Sequence, residues 1–443
     1  MITPPISTAP ATETATCPEC GSALTTSPRF TRWCTACRWN VVPGAAAPLP
    51  ETEGRARKGF SLRLNQAAEQ QLFQQLSTGP VERPGLDGKG AAAFALAGLV
   101  HLSALALLVA GGWMVLQHGW PIQLFGLLVF VSAAILLRPR LGTLRSARKQ
   151  GFALDRATAP ELYALADRTA DALHTHRAEL IVIDPRFNAS YQRVGVRRRA
   201  VLTLGLPLWE ILDPAERTAL LGHEFGHGAN GDVRRGLWVG GALQILRSVH
   251  DLTVPERVSD PQGLVAIAAV ATRFLMAGLN GVVELLYRLL GWLTRHSQRR
   301  AEYLADAFAV RLGGTAGATG LLETLPLQSA FQAHLEHRQA LLRHRAAQRV
   351  TRGGTLPEPM ADFWDELRGY FASLPRTERD RRVIAAELTD RATDQAHPPV
   401  HLRLAFTRSR PVTDAAVRIT PEQSAAIDRE LAPARVAMTE LLD

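Results

Sequence analysis

The chain has 443 residues, of which 47% are hydrophobic and 21% are charged, and its 50 Lys and Arg residues exceed its 41 acidic residues to give a net charge of +9. A chain this apolar is not intrinsically disordered, and its length predicts two or three structural units. The runs 91–116 and 120–137, which contain no Lys, Arg, Asp or Glu, exclude a purely soluble protein.

All four cysteines lie in residues 1–40, as the CxxC pairs Cys17 with Cys20 and Cys34 with Cys37. Four thiolates at this spacing are typical of a zinc ribbon, in which two knuckles surround one tetrahedral zinc. Disulfides and a redox CxxC are the alternatives, but a reducing compartment disfavours the first and the second needs a thioredoxin-like βαβ pattern. We expect one structural zinc and either a structural role or a docking role toward a protein partner, because a closed site leaves no position open for chemistry.

A linker and an amphipathic helix are predicted for 41–90, followed by a transmembrane hairpin in 91–137. Eighteen helical residues span about 27 Å, close to the hydrocarbon thickness of a bilayer. Lys and Arg residues precede the first run and follow the second, and the connection between the runs has neither. The positive-inside rule therefore places both flanks in the cytoplasm, at the inner (plasma) membrane. A nucleic-acid surface is the competing interpretation of these charges, and their membrane-flanking position already explains them.

The segment 150–410 is predicted to mix helices with a small sheet, and 411–443 to be a helical extension. Its apolar periodicities predict a helix at 160–173, strands at 179–184 and 200–204, and an exposed strand between them at 187–196.

The motif His223-Glu-Phe-Gly-His227 follows Asp213-Pro214, a helix-start signal. Histidines at positions i and i+4 project from one helix face and can share a metal, and Glu224 can reach a water on that metal. HExxH is short and also occurs by chance, in which case the histidines are ordinary surface or core residues.

A catalytic zinc needs a third protein ligand. The HxxGxxH continuation is missing, since 228–234 contains no histidine. The later motif Arg299-Arg-Ala-Glu302-Tyr-Leu-Ala-Asp306 offers Glu302 as the ligand, with Asp306 one turn on to hydrogen-bond a ligand histidine. An ordinary charged helix facing solvent is the alternative.

The order HExxH, then Arg-x-x-Glu-x-x-Ala-Asp, resembles the integral-membrane gluzincin family that contains the HtpX heat-shock proteases and the CAAX prenyl proteases. Three other segments match that family in order: Asn188-Ala189, Asn230-Gly231-Asp232, and His397-Pro398 with Arg403 after it. Gln298 departs from the family, which usually has serine there, and residues 1–40 lie outside the resemblance. The resemblance implies a mainly α, α+β fold, with the transmembrane hairpin and the zinc ribbon joined to a zincin-type metallopeptidase domain.

A membrane-bound zinc endopeptidase is the function that the resemblance implies. Zinc held by His223, His227 and Glu302 would polarise the scissile carbonyl, while Glu224 takes a proton from water and delivers it to the leaving amine. By similarity, His397 would stabilise the oxyanion.

Other residues of the matched segments are expected to assist. Asp232, Arg299 and Asp306 would support the ligands. The edge strand containing Asn188, Ala189 and Ser190 would bind extended substrate through its main chain, so we expect proline at Ser190 to raise KM.

The apolar segment at about 263–293 carries a polar stripe on one helix face, made of Arg273, Asn280, Glu284 and Arg288. His227 and Glu302 must reach one ion, so the chain between them crosses the bilayer zero or two times, and 236–246 is short for a crossing. We expect a membrane-embedded or interfacial helix with its stripe toward the catalytic domain; a second hairpin is the alternative.

The substrate is expected to be a peptide or membrane protein, in quality control or processing at the lipid bilayer. The competing function is a catalytically silent membrane scaffold that displays the zinc ribbon to a cytosolic partner. Glu224 argues against it, because a scaffold has no need of a general base.

Overall fold

The fold is seen in a computed structural model of the chain. The structure describes residues 14–25, 29–43, 69–77, 79, 88–138, 141–230, 232–254, 264–351, 362–393 and 398–443. His397 and most of the predicted linker lie outside the described residues. The described part confirms a mainly helical fold with a small sheet, long apolar helices and an N-terminal four-cysteine module.

Two sheets and fourteen α-helices make up the described elements. The strands are β1 (Thr14–Thr16), β2 (Ala23–Thr25), β3 (Phe152–Leu154), β4 (Leu180–Asp184), β5 (Ala189–Val194) and β6 (Arg199–Gly205). The helices are α1 (Gly88–Val115), α2 (Trp120–Leu137), α3 (Leu144–Arg148), α4 (Pro160–Ala172), α5 (Leu206–Ile211), α6 (Pro214–Ala229), α7 (Asp232–Thr253), α8 (Leu264–Thr324), α9 (Gln328–Thr351), α10 (Phe363–Ala372), α11 (Arg376–Thr393), α12 (Val400–Ser409), α13 (Pro421–Glu430) and α14 (Ala432–Leu442). Residues 69–77 are also helical, and a 3-10 turn occupies Leu325–Leu327.

The four-stranded sheet has the order β3-β4-β6-β5, with β4 and β6 parallel and the other pairs antiparallel. The strands predicted at 179–184, 187–196 and 200–204 are confirmed as β4, β5 and β6. All five residues of β4 are buried, which explains the apolar run Leu180–Ile183. Within the described residues β5 pairs with β6 alone, so it forms an edge of the sheet.

The C-terminal helices belong to the main core. Ile427 and Met438 are buried in the same apolar cluster as the sheet and α6. The Glu430 carboxylate accepts hydrogen bonds from the Glu161 and Leu162 amides, at 2.8 and 3.0 Å, and so caps the start of α4. The helices α13 and α14 thus pack inside the domain that 411–443 is predicted to extend.

Helix α6 is placed by its cap and by α8. Asp213 and Glu216 form a reciprocal capping box, with hydrogen bonds of 2.8 and 3.0 Å between each side chain and the other residue's amide. Farther along, α6 packs so closely on α8 that a Cβ at Gly313 would lie 2.6 Å from the Ala219 nitrogen. Glycine is required at this crossing, which brings the HExxH face of α6 against the turn of α8 that carries Glu302.

Three described helices are long and apolar enough to cross a membrane: Gly88–Val115, Trp120–Leu137 and a segment within Val270–Ala347. Large apolar side chains on them are exposed, including Leu102, Phe125 and Phe274. Surfaces of this kind suit contact with lipid chains. The first two helices are the predicted hairpin, joined at Gly119.

Two residues of the polar stripe of α8, Asn280 and Glu284, face α7, while Arg273 and Arg288 are exposed. Asn280 donates hydrogen bonds to the His250 carbonyl and the Thr253 hydroxyl, at 3.1 and 3.0 Å, and a Glu284 oxygen lies 3.7 Å from His250 Nε2. This arrangement differs from the expectation that the stripe faces the catalytic domain. Paired polar groups satisfy one another between two helices at lower cost than groups exposed to lipid.

The structure also changes the length argument against a second hairpin. Helix α7 has 22 residues, twice the apolar stretch counted in the sequence, and so spans about 33 Å. Its buried side chains, such as Val239 and Ala242, share one apolar cluster with α1 and α8. Helix α8 continues unbroken from this cluster to Gly314, where a φ of 76° interrupts it.

Candidate active site and zinc ribbon

The three predicted ligands of the catalytic zinc meet at one point. The Nε2 atoms of His223 and His227 are 3.3 Å apart, and they lie 3.6 and 3.7 Å from different oxygens of Glu302. Zinc bound to nitrogen and oxygen at about 2.0–2.1 Å in a tetrahedron places its ligand atoms about 3.4 Å apart. The donor types and their spacing therefore fit a zinc ion.

A buried ion pair orients His223. Asp306, 2% exposed, lies 3.1 Å from His223 Nδ1 and accepts two hydrogen bonds from Arg403, at 2.7 and 2.9 Å. A proton on Nδ1 directed at this carboxylate leaves Nε2 as the metal donor. Burial alone would lower the pKa of Arg403, but the Asp306 carboxylate raises it above its usual value, so the guanidinium stays charged.

Arg403 is the site residue that sequence reasoning missed. It entered only as the last residue of a matched segment, and 97 positions separate it from Asp306. The signal that could have found it is the need of a buried carboxylate for a cationic partner.

Glu224 lines a cleft with a volume of about 980 Å³. It is 8% exposed and follows His223 directly in α6. The same cleft is lined by the substrate-strand residues predicted from the sequence, namely Asn188, Ala189 and Ser190. It is also lined by Arg381, Arg382, Ala385 and Ala386 of α11, which the sequence did not indicate.

The register of β5 decides which of its main-chain groups face the cleft edge. Gly205 donates its amide to the Asn188 carbonyl at 2.8 Å, so these two residues form a hydrogen-bonded pair. Because such pairs alternate along an antiparallel ladder, Ser190, opposite Thr203, also bonds inward to β6. The outward amides and carbonyls belong to Ala189 and Tyr191. Proline at Ser190 would consequently remove a hydrogen bond within the sheet. A test of substrate binding therefore has to remove the outward amide of Ala189 instead.

We expect Ala189→Pro to raise KM about tenfold with little change in kcat, because it removes one outward amide from an edge strand that tolerates proline. Steady-state cleavage of labelled casein measures both constants, and zinc content checks that the ligands are intact. Ala189→Val is the matched control, since it keeps the amide. Equal KM values for the two variants would contradict substrate pairing with β5.

Three other predicted residues have different outcomes. Arg299 lies 2.9 Å from Glu69 of the helical segment 69–77, so its ion pair anchors that segment beside α8. Asp232 begins α7, but its side chain is outside the described residues, as is the whole of His397. Their expected roles stay predictions.

The four cysteines also converge. Sγ of Cys17 lies 3.6 Å from that of Cys37, Sγ of Cys20 lies 3.5 Å from that of Cys34, and all four lie within 4.8 Å of one another. Zinc–sulfur bonds of about 2.3 Å in a tetrahedron require ligand separations of about 3.8 Å, so this cluster fits one zinc as well. The short strands β1 and β2 form its hairpin.

Comparison with known proteins agrees with the site. Residues 156–410, more than half of the chain, match the model of Peptidase family M48. The chain belongs to this family. Protease HtpX of Pseudomonas putida strain W619 is 28% identical over 162 residues, 34% of this chain and 52% of that protein, and the strain GB-1 protein is 27% identical over the same length. The chain thus spans about half the length of the curated relatives that it matches. The M48 match contains α6 and Glu302 and leaves the zinc ribbon outside.

Proposed function

We propose that the chain is a membrane-bound, zinc-dependent endopeptidase. The observation that carries this proposal is the meeting of His223, His227 and Glu302 at zinc-ligand spacing beside Glu224, in a cleft bordered by an edge strand. Membership of family M48 and the similarity to proteins named Protease HtpX support it. Zinc held there would act as a Lewis acid toward the scissile carbonyl and toward water.

The chain's own residues account for the remaining requirements. Outward main-chain groups of β5 would hold an extended peptide, which confers sequence tolerance. Glu224 would take a proton from the attacking water and pass it to the leaving amine. Asp306, held by Arg403, would keep His223 in the tautomer that leaves Nε2 available. His397 is proposed as a further donor to the oxyanion.

The proposed substrates are membrane proteins in quality control or processing. The cleft belongs to the same helical assembly as three apolar helices, which would place the peptidase at the bilayer surface. If the chain is instead a scaffold, it should bind zinc at these ligands and cleave no peptide. Measuring zinc content together with cleavage separates the scaffold from the peptidase.

Purified chain should contain two zinc ions and cleave labelled casein. Chelation should stop cleavage and added zinc should restore it, because the ligand atoms are already arranged. A Cys17→Ser/Cys20→Ser variant, which lacks the ribbon site, should keep one zinc. Two zinc ions without cleavage of casein or any membrane-protein substrate would favour the scaffold.

We propose that both metal sites face the cytoplasm at the inner membrane, with α1–α2 crossing the bilayer as a hairpin and the apolar part of α8 embedded beside it against α7. Single cysteines at Ala229 and Thr315 should then label only after cells are permeabilised, while one at His118 should label in intact cells. Peptide mapping distinguishes these from the ribbon thiols. Labelling of Ala229 or Thr315 positions from outside would overturn the orientation.

A further inference from the structure

The zinc ribbon contacts the wall of the substrate cleft. The Val41 carbonyl accepts a 2.7 Å hydrogen bond from Arg381, and both residues are buried. Arg38 forms a 3.3 Å ion pair with Glu387. Phe30 packs against the main core. The ribbon, for which the sequence suggests docking to a separate protein, thus lies partly against the chain itself.

Helix α11 lies between the ribbon and the cleft. Arg381 lines the cleft and also binds Val41, which directly follows the ribbon and donates its amide to the Arg38 carbonyl at 3.4 Å. One turn later Ala385 and Ala386 line the cleft, directly before Glu387, which Arg38 holds. A displacement of the ribbon would therefore shift residues of α11 that line the substrate cleft.

The ribbon contacts depend on its metal. Arg38 follows Cys37 directly, and its amide donates to the Cys34 carbonyl at 2.9 Å, so it belongs to the second zinc knuckle. Strands β1 and β2 have only three residues each, too few for a stable hairpin without zinc. Loss of zinc should release Arg38 and Val41 from α11.

We propose that the zinc ribbon is an intramolecular clamp on α11, so that zinc bound by the four cysteines fixes the cleft wall and sets the affinity for peptide. Arg381 is the positioning residue that transmits the contact. The effect on peptide affinity rests on the proposed peptidase function, whereas the clamp on α11 is a property of the fold and can be measured without cleavage.

The test uses the full chain in lipid nanodiscs, with zinc content, hydrogen–deuterium exchange and casein kinetics measured together. The Cys17→Ser/Cys20→Ser variant should lose one zinc, exchange α11 amides about tenfold faster with α6 unchanged, and raise KM about tenfold with kcat nearly constant. If it loses one zinc while α11 exchange and KM stay at wild-type values, the clamp is wrong and the ribbon serves another molecule.

A second set keeps the zinc site. Arg38→Glu should raise KM about threefold, as expected for loss of a partly exposed ion pair, and Arg38→Glu/Glu387→Arg should restore it. Glu19→Arg, a charge reversal on the exposed side of the first knuckle, is the matched control and should change neither KM nor α11 exchange. These variants decide the question if the cysteine variant loses both zinc ions, and equal behaviour of Arg38→Glu and Glu19→Arg would overturn the clamp. Faster α11 exchange in a chain that never cleaves casein would support the clamp and count against the peptidase.

Discussion

Replacing Glu224 with glutamine is expected to lower kcat for casein by at least about 10³-fold while both zinc ions stay bound. The substitution keeps the size of the side chain and removes its ability to accept the proton of water. None of the three ligand atoms changes, so zinc content should equal that of the wild type. Cleavage rate and zinc per chain, measured on the same preparation, test the two halves of this expectation.

A matched control is Glu216→Gln in the same helix. Glu216 is a capping residue outside the ligand cluster, and its carboxylate accepts a hydrogen bond that glutamine can also accept. We expect this variant to retain most of its activity. Substantial cleavage by Glu224→Gln would show that Glu224 is not the general base. Loss of zinc would show that Glu224 shapes the ligand cluster.

Removal of the Glu302 carboxylate is expected to have an equally large effect by another route. Glu302→Ala should reduce zinc from two ions per chain to one and abolish cleavage, because two histidines alone bind zinc far more weakly than three protein ligands. The ribbon zinc should remain, since its four thiolates form a separate cluster. Metal analysis after dialysis against a zinc buffer provides the measurement.

Asp306→Asn distinguishes ligand from supporting residue. It leaves all three donors in place and weakens the orientation of His223, so zinc affinity should fall by about 10- to 100-fold and recover at high zinc concentration. If Glu302→Ala kept two zinc ions and Asp306→Asn lost one irreversibly, the third ligand would be misassigned.

Features set by local spacing were predictable from the sequence. Two histidines four residues apart share a helix face whatever surrounds them, and Asp213-Pro214 begins a helix by its own chemistry. Strand β5 was likewise indicated by its pattern. These inferences succeeded because the information lies within one or two turns of chain.

Features set by tertiary contact were not predictable. The sequence suggested Ser190 as the position to test, but the pairing with β6 places the outward amide at Ala189. The bond between Arg381 and Val41 joins positions 340 residues apart, and no periodicity signals it. The stripe on α8 was recognised, but the sequence could not show that its partner is α7.

Helix α8 runs unbroken from the apolar cluster that it shares with α1 and α7 to the cluster of proposed zinc ligands. Two glutamates of α8 mark the ends of this stretch: Glu284 contacts α7 among the apolar helices, and Glu302 belongs to the ligand cluster. They lie about 27 Å apart along this one helix. A change in the tilt of α8 at one end must shift Glu302 at the other, and His223 and His227 follow only as far as the packing of α6 on α8 carries them. With the apolar helices in the bilayer as proposed, we therefore expect zinc affinity to vary with the acyl-chain length of the surrounding lipid. Hydrophobic mismatch would then alter the geometry of the zinc ligands.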